Sequence, residues 1–238
     1  MGEAEQSRFF RNARTLLNAL NESGGTKATQ AGNLNRKFVG EMMEQLDIPS
    51  ETVEDIRAVN KVINEVDVWD LHIARVIVEF AGLIRQHGGQ FRVIQKRSHL
   101  MEEDEHAGIL YALLFRTFFR KLNLAYLDRM PEIPLLDETV AFSLCIASML
   151  LLDWREVEEV STQLLVLEAW REIPHSSYSD NTPYVVYRRI LEPLIDFGLL
   201  VERRMGDSFR DAEVRKTDLF DRVLKFDVEV NLAPGYLH

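Results

Sequence analysis

The chain has 238 residues, 46% of them hydrophobic and 28% charged, with a net charge of −10 at pH 7. That balance describes a globular protein with a substantial core and excludes a polycation that coats nucleic acid indiscriminately. The single Cys145 excludes an intramolecular disulfide framework, the opening MGEAEQSRFFRNAR lacks a signal-peptide core, and the longest apolar run, residues 139–152, is too short to span a bilayer, so a soluble, cytoplasmic protein with no membrane partner is expected.

Phe9, Ala13, Leu16, Leu17 and Leu20 recur at helical spacing and predict a helix over residues 9–20, ended by Gly24-Gly25. A short extended piece follows, then Thr29 as an N-cap and a helix to about residue 46. Leu34, Phe38, Val39, Met42, Met43 and Leu46 form its apolar stripe, with Asn33, Arg36, Lys37, Gly40 and Glu44 opposite. Residues 50–65 read as an acidic helix or loop. Trp69, Ile73, Val76, Ile77 and Phe80 predict a helix over residues 67–82.

The stretch FAGLIRQHGGQFRVIQKRSHLM, residues 80–101, then reads as a hairpin, because Gly88-Gly89 tolerates the positive φ of a type I′ turn. This register sets Ile84 against Val93, Leu83 against Ile94, and Arg85 directly against Arg92. Like charges so placed repel unless a counter-charge lies between them. A phosphate, a neighbouring carboxylate, or two guanidiniums splaying into water would each resolve the conflict.

Residues 98–173 read as helical throughout. Glu102, Glu103, Asp104 and Glu105 suit a helix N-terminus, Pro131 and Pro134 punctuate the chain, and WREVEEVSTQLLVLEAW opens a helix after Asp153. Thr182 and Pro183 then read as a cap and first-turn proline. Tyr184, Tyr187, Leu191, Leu194 and Phe197 predict a helix kinked at Pro193. After Gly198, residues 199–203 and 213–216 form a second, longer hairpin, and Thr217 caps a helix to about residue 226. Residues 227–238 alternate briefly like an edge strand and become a tail.

Helix, turn, helix, helix, hairpin is the order of a winged helix. It is suggested twice, the second hairpin lying in FGLLVERRMGDSFRDAEVRKTDLF, residues 197–220. The expected fold is mainly α: two winged-helix-like units, residues 1–101 and 176–238, each with a small β-hairpin, bracketing a central helical region, residues 102–175. GGTKATQAGNLNRKFVGEMMEQL with LHIARVIVEFAGLIRQHGGQFRVIQK resembles a pattern of poorly characterised bacterial proteins. In these, a Gly-Asn-Leu element precedes a helix and a Gly-Leu helix end leads into a hairpin. ILEPLIDFGLLVERR…VRKTDLFDRVL resembles the winged-helix half that closes such chains. The resemblance implies a fold and no particular activity.

Charge is unevenly spread. Residues 6–40 carry Arg8, Arg11, Arg14, Lys27, Arg36 and Lys37 against Glu22 alone, and residues 80–101 hold no acid. Residues 41–70 hold nine carboxylates against Arg57 and Lys61. A nucleic-acid interface would draw on Asn33, Asn35, Arg36 and Lys37 of the second helix and on Arg85, Arg92, Lys96 and Arg97 of the first hairpin. Arg203, Arg204, Arg215 and Lys216, with Arg210, would be their counterparts in the second. Amides would read adenine and cations hold phosphate. Against this, the recognition helix turns acidic at Glu41 and Glu44. Two readings stay open: a DNA-binding regulator, and a protein-docking or structural module that meets an acidic partner or a second copy.

No catalytic constellation emerges. His99, Glu103 and His106 share a helix face, but their spacing matches no metal motif. Cys145 lies in an apolar helix, His72 borders one, and ESGGTKAT lacks phosphate-loop spacing. His175, Ser176, Ser177 and Asp180 read as a polar loop. The expectation is a protein without enzymatic activity, metal or cofactor.

Overall fold

The computed structural model describes residues 3–102, 104–174 and 180–228. Helix α1 (Arg8–Glu22) starts where Ser7 Oγ accepts from the Phe10 amide, and it buries Phe9, Phe10, Leu16, Leu17 and Leu20. Strand β1 (Thr26–Lys27), helices α2 (Arg36–Met43), α3 (Ser50–Val59) and α4 (Trp69–Phe80), strands β2 (Ile84–His87) and β3 (Gln90–Val93), and α5 (His99–Glu102) complete the first half. Helix α6 (Ala107–Lys121) and a 3-10 turn (Leu124–Leu127) lead to α7 (Pro134–Leu150). Strand β4 (Arg155–Glu156), α8 (Val157–Gln163), α9 (Leu167–Glu172), α10 (Thr182–Val186), a π turn (Tyr187–Leu191) and α11 (Glu192–Asp196) follow. Strands β5 (Leu200–Arg204) and β6 (Ala212–Lys216) and helix α12 (Asp218–Val223) close the second half.

Among the described residues the chain is therefore mainly helical with two small antiparallel sheets, ordered β1-β3-β2 and β4-β6-β5. The first hairpin has the expected register, Ile84 opposite Val93 and Arg85 opposite Arg92, with Gly88 and Gly89 at φ 58° and 71°. Helix ends match bond for bond. Gly82 N donates to Glu79 O and Leu83 N to Val78 O; Gly198 N donates to Ile195 O and Leu199 N to Leu194 O. Both are Schellman closures, which satisfy helix-terminal carbonyls and aim the chain into a strand. Ile94 N then reaches Leu83 O, as Thr217 N reaches Leu199 O.

Superposing these bonds shifts the apparent repeat by one residue. Gly198 corresponds to Gly82, so Phe197 takes the place of Ala81 and Asp196 that of Phe80. Phe197 is fully buried among Phe9, Tyr111, Phe115 and Phe118, and Tyr111 Oη donates to its carbonyl at 2.7 Å. Phe80 is 44% exposed.

Several local expectations change. Thr29 does not cap α2: residues 28–34 close on themselves, with Thr29 N on Asn33 O and Thr29 Oγ accepting from Asn33 N. The helix starts at Asn35, whose Oδ1 accepts from Phe38 N. The helix expected after Asp153 is not formed there. Arg155 and Glu156 pair with Val214 and Glu213, because β6 offers an open edge whose backbone groups outweigh local helix propensity. The second sheet thus takes a strand from within the span read as a central helical region. Pro193 introduces the preceding π turn, which accommodates its missing amide. Thr217 Oγ donates to the Gly198 and Leu199 carbonyls and makes no cap bond, and α12 stops at Val223. The expected tail from residue 229 onward lies outside the described residues.

Among the described residues, no helix is long and apolar enough to cross a membrane.

Candidate docking face on the N-terminal sheet

Strand alternation sends Ile84, Phe91 and Val93 into the core and Lys27, Arg85, His87, Gln90 and Arg92 to the opposite face. Gly25 makes room for this arrangement. At φ 111° a side chain there would meet the Phe91 carbonyl oxygen at 2.5 Å and Arg92 Cγ at 2.7 Å. The Arg92 stem therefore lies where that side chain would stand. Its Nε and NH2 donate to Gln90 Oε1 at 3.0 and 2.6 Å, an uncharged acceptor. Among the described residues, the side chains of Lys27, Arg85 and Lys96 have no hydrogen-bond or ion-pair partner. The expected conflict between Arg85 and Arg92 is thus present without an internal counter-charge.

The second sheet answers the same register differently. Val201 stands where Arg85 does, Arg203 where His87 does, Glu213 where Gln90 does, Glu156 where Lys27 does, and Trp154 where Gly25 does. Arg215 alone keeps its cation opposite Val201. The Trp154 ring packs against both Arg203 and Arg215, with centroid distances of 4.5 and 5.1 Å, and Arg203 also pairs with Glu213. Arg204 bonds Glu202 and Tyr187 Oη, each at 3.0 Å. Lys216 is committed to Ser148 O and Asp221. The structure divides the twelve sequence candidates accordingly: the first hairpin keeps open charge, and the second absorbs Arg203, Arg204 and Lys216 internally.

The candidates on α2 are partly committed too. Asn35 caps its helix and donates to Thr26 Oγ1 and Lys27 O, so neither end is free to read a base. Arg36 Nε donates to Asn64 Oδ1 at 3.0 Å; Lys37 is exposed and 3.7 Å from Glu41. Asn33 is held by its backbone bonds to Thr29. Arg97 donates to Ala81 O at 2.6 Å. Helix α4, which enters the hairpin, buries residues all round, including Leu71, Ile73, Ala74, Ile77 and Val78. It offers no face to a groove. Lys27 was not legible as a site residue, because the pairing of β1 with β3 is tertiary; His87 was not singled out, although the hairpin register sets it opposite Gln90.

His72 is buried and is the centre of a network. Its Nδ1 is 2.6 Å from Glu65 Oε1 and its Nε2 is 2.5 Å from Tyr126 Oη, while Arg75 Nε donates to Glu65 at 2.8 Å. Glu65 is fully buried and also accepts from the Leu34 amide. Burial pushes its carboxyl up, but His72, Leu34 and Arg75 together hold it below the usual carboxylate range. The network ties α2, α4 and the 124–127 turn together. His99 and His106 lie with ring centroids 5.4 Å apart, while Glu103, the third member of that expected cluster, lies outside the described residues, as do His175, Ser176 and Ser177.

A cavity of about 570 Å³ separates the halves, lined in part by Arg8, Trp69, Asp70, Arg188, Glu192 and Asp196. Arg8 bonds Asp196 at 2.6 Å and lies 3.8 Å from Asp70; Arg188 pairs with Glu192. Burial pushes Glu192 up to about 7 and Asp196 up to about 6, against the pull of Arg188 and Arg8. Arg8 and Arg188 thus face three carboxyls there, Asp70, Glu192 and Asp196, each pushed up by burial.

Residues 5–106, which contain the whole first sheet and helices α1–α5, match the family model described as the Y4jL N-terminal domain. The chain is similar to a protein of Sinorhizobium fredii named "Uncharacterized protein y4jL", with 32% identity over 83 residues. That alignment covers 35% of this chain and 38% of the relative, so the chain spans well under half of the curated relative it matches. No solved structure matches. These likenesses support a poorly characterised bacterial family.

Proposed function

We propose that the chain is a non-enzymatic docking protein built from two winged-helix-like units. Its N-terminal sheet face, with Lys27, Arg85, His87 and Arg92, engages an acidic protein surface. One observation carries this reading: Arg85 and Arg92 stand opposite one another without a carboxylate, whereas the equivalent face of the second sheet is balanced by Glu156 and Glu213. Uncompensated like charges across two strands destabilise a hairpin, and an external anion removes that cost. A protein partner fits better than base readout, since the exposed face of α2 sets Glu41 and Glu44 beside Lys37 and Asn35 is spent on capping.

A second reading, contact with nucleic-acid phosphates, is favoured by the same acid-free strand face. Fluorescence anisotropy with labelled poly-glutamate and with random-sequence duplex DNA separates the two, each measured across a salt series with the wild type and Arg85→Glu/Arg92→Glu. Polyglutamate binding that the double variant abolishes, with weak DNA binding, supports the first reading. Tight DNA binding that collapses with salt and in the variant supports the second. Binding of neither probe at low salt overturns both.

A further inference from the structure

Helix α6 carries a second surface of a different kind. An open groove of about 950 Å³ runs along its outer side. The floor is apolar, formed by Leu100, Ile109, Ala112 and Leu113, and Ile109 is 57% exposed. The rim holds Arg97, Arg116, Arg120 and Lys121, and no carboxylate lines the groove among the described residues. In a chain of net charge −10 this is a local reversal of sign.

Ile109, Leu113, Arg116 and Arg120 follow one another at i, i+4, i+7 and i+11, so they form one stripe along α6. Its first half is apolar and its second half cationic. Arg116 and Arg120 are a like-charged i,i+4 pair, which destabilises a helix. Among the described residues neither side chain has a hydrogen-bond or ion-pair partner, although Asp137 and Glu138 line the adjoining cavity. The helix dipole accounts for Arg120 and Lys121 in the last turn, and the Ala81 carbonyl at the end of α4 holds Arg97, but neither accounts for Arg116 or the exposed isoleucine beside it. Gly108 and Ala112, one turn apart, keep the groove open; a side chain added at Gly108 would touch nothing within 4 Å.

We infer that this groove is the docking site for an acidic amphipathic helix of a partner protein. The segregated stripe also fixes the direction. An antiparallel helix places its N-terminal half, where carboxylates are favoured, over Arg116 and Arg120, and its apolar C-terminal half over Ile109 and Leu113. The groove stands apart from the hairpin face and keeps its role whichever anion that face meets.

The test uses the full chain and a fluorescein-labelled synthetic peptide with glutamates in its N-terminal half and leucines at helical spacing in its C-terminal half. A scrambled peptide of the same composition is the control. Anisotropy titration is expected to show binding that weakens about tenfold or more in Arg116→Glu/Arg120→Glu and in Ile109→Asp, and in the scrambled peptide. In Arg85→Glu/Arg92→Glu the preference for this peptide over the scrambled one persists, while any binding that the two peptides share at the hairpin face falls, which separates failure here from failure of the hairpin reading. Far-UV circular dichroism and melting curves matching the wild type establish that each variant is folded. Absence of binding, equal binding of the scrambled peptide, or indifference to the α6 variants overturns the proposal. So does sedimentation as a dimer that Ile109→Asp disperses, which assigns the groove to a second copy. Loss of binding to phosphatidylglycerol vesicles in the same variants, without peptide binding, assigns it to a lipid surface and likewise overturns it.

Discussion

Replacing Glu192 with glutamine is expected to stabilise the protein at pH 8 and to leave it nearly unchanged at pH 5. In the folded chain burial raises this carboxyl from 4.5 to about 7, even though Arg188 is its partner. A carboxyl whose folded value is raised contributes stability that is fully present below its unfolded value and is lost as pH rises through the folded one. Between pH 5 and pH 8 that loss amounts to roughly 2.5 kcal/mol for a shift of this size. The Glu192 side chain retains 29% of its exposure, and solvent screening reduces the figure to about 2 kcal/mol. Glutamine keeps the shape and an acceptor for Arg188 and carries no charge to desolvate. Its advantage should therefore grow by about 2 kcal/mol from pH 5 to pH 8, or about 4–8 °C in melting temperature for a chain of this size. Scanning calorimetry of both proteins across this range reads the difference. Parallel curves, with a constant offset at every pH, would refute the assignment of a raised carboxyl to this cavity. Asp196, raised to about 6, adds a wild-type slope of the same sign that remains in both proteins.

Three further outcomes follow from buried geometry. Gly25→Ala should cost about 2 kcal/mol or more in urea denaturation, because φ is 111° and the new Cβ meets the Phe91 carbonyl at 2.5 Å. Glu65→Gln should cost about 3 kcal/mol at pH 7, since Arg75 and His72 lose a buried carboxylate. That loss should shrink in acid, because a carboxyl held below its usual range contributes stability above about pH 4.5 and loses it as pH falls through the folded value. Arg189→Ala should cost about 3–5 kcal/mol by leaving fully buried Asp128 without its two-bond partner, while Arg189→Ala with Asp128→Ala should cost less than the sum of the single changes in a double-mutant cycle.

The helices that carry long apolar stripes were legible, α1 and α4 above all, and so was the first hairpin down to its residue pairing, because Gly88-Gly89 admits few turns. What escaped depends on partners distant in sequence. The extended piece expected after Gly24-Gly25 is β1, but its pairing with β3 was not legible, and β4, two residues long, carries no pattern of its own and forms on the open edge of β6. Glu65 read as one more surface acid in a run of nine, and only the fold shows it buried beneath Leu34 and against His72. The basic residues near the second hairpin read as equals of those in the first. Their neutralisation by Glu213, Glu202, Asp221 and Trp154 is a matter of register and tertiary contact, and composition does not record either.

The one-residue offset between the two helix ends explains why a repeated architecture carries unequal surfaces. At the position preceding the Schellman glycine by two, the second half has Asp196, which binds Arg8 of the first half, and Ser7 donates to its carbonyl at 2.9 Å. The next residue, Phe197, fills the core between α1 and α6. That helix end is a joint, and its charges are consumed in making it. In the first half the same two positions are Phe80, exposed, and Ala81, which adds little bulk. Among the described residues no ion pair ties this end to the second half; Lys121 of α6 donates to the Phe80 carbonyl at 2.7 Å, and the α6 groove opens beside it. One copy of the helix-to-hairpin junction spends a carboxylate on the other half, and at the other copy Arg97 and Lys121 meet backbone carbonyls and, among the described residues, no carboxylate. A partner surface is therefore to be sought on the N-terminal half and the adjoining face of α6.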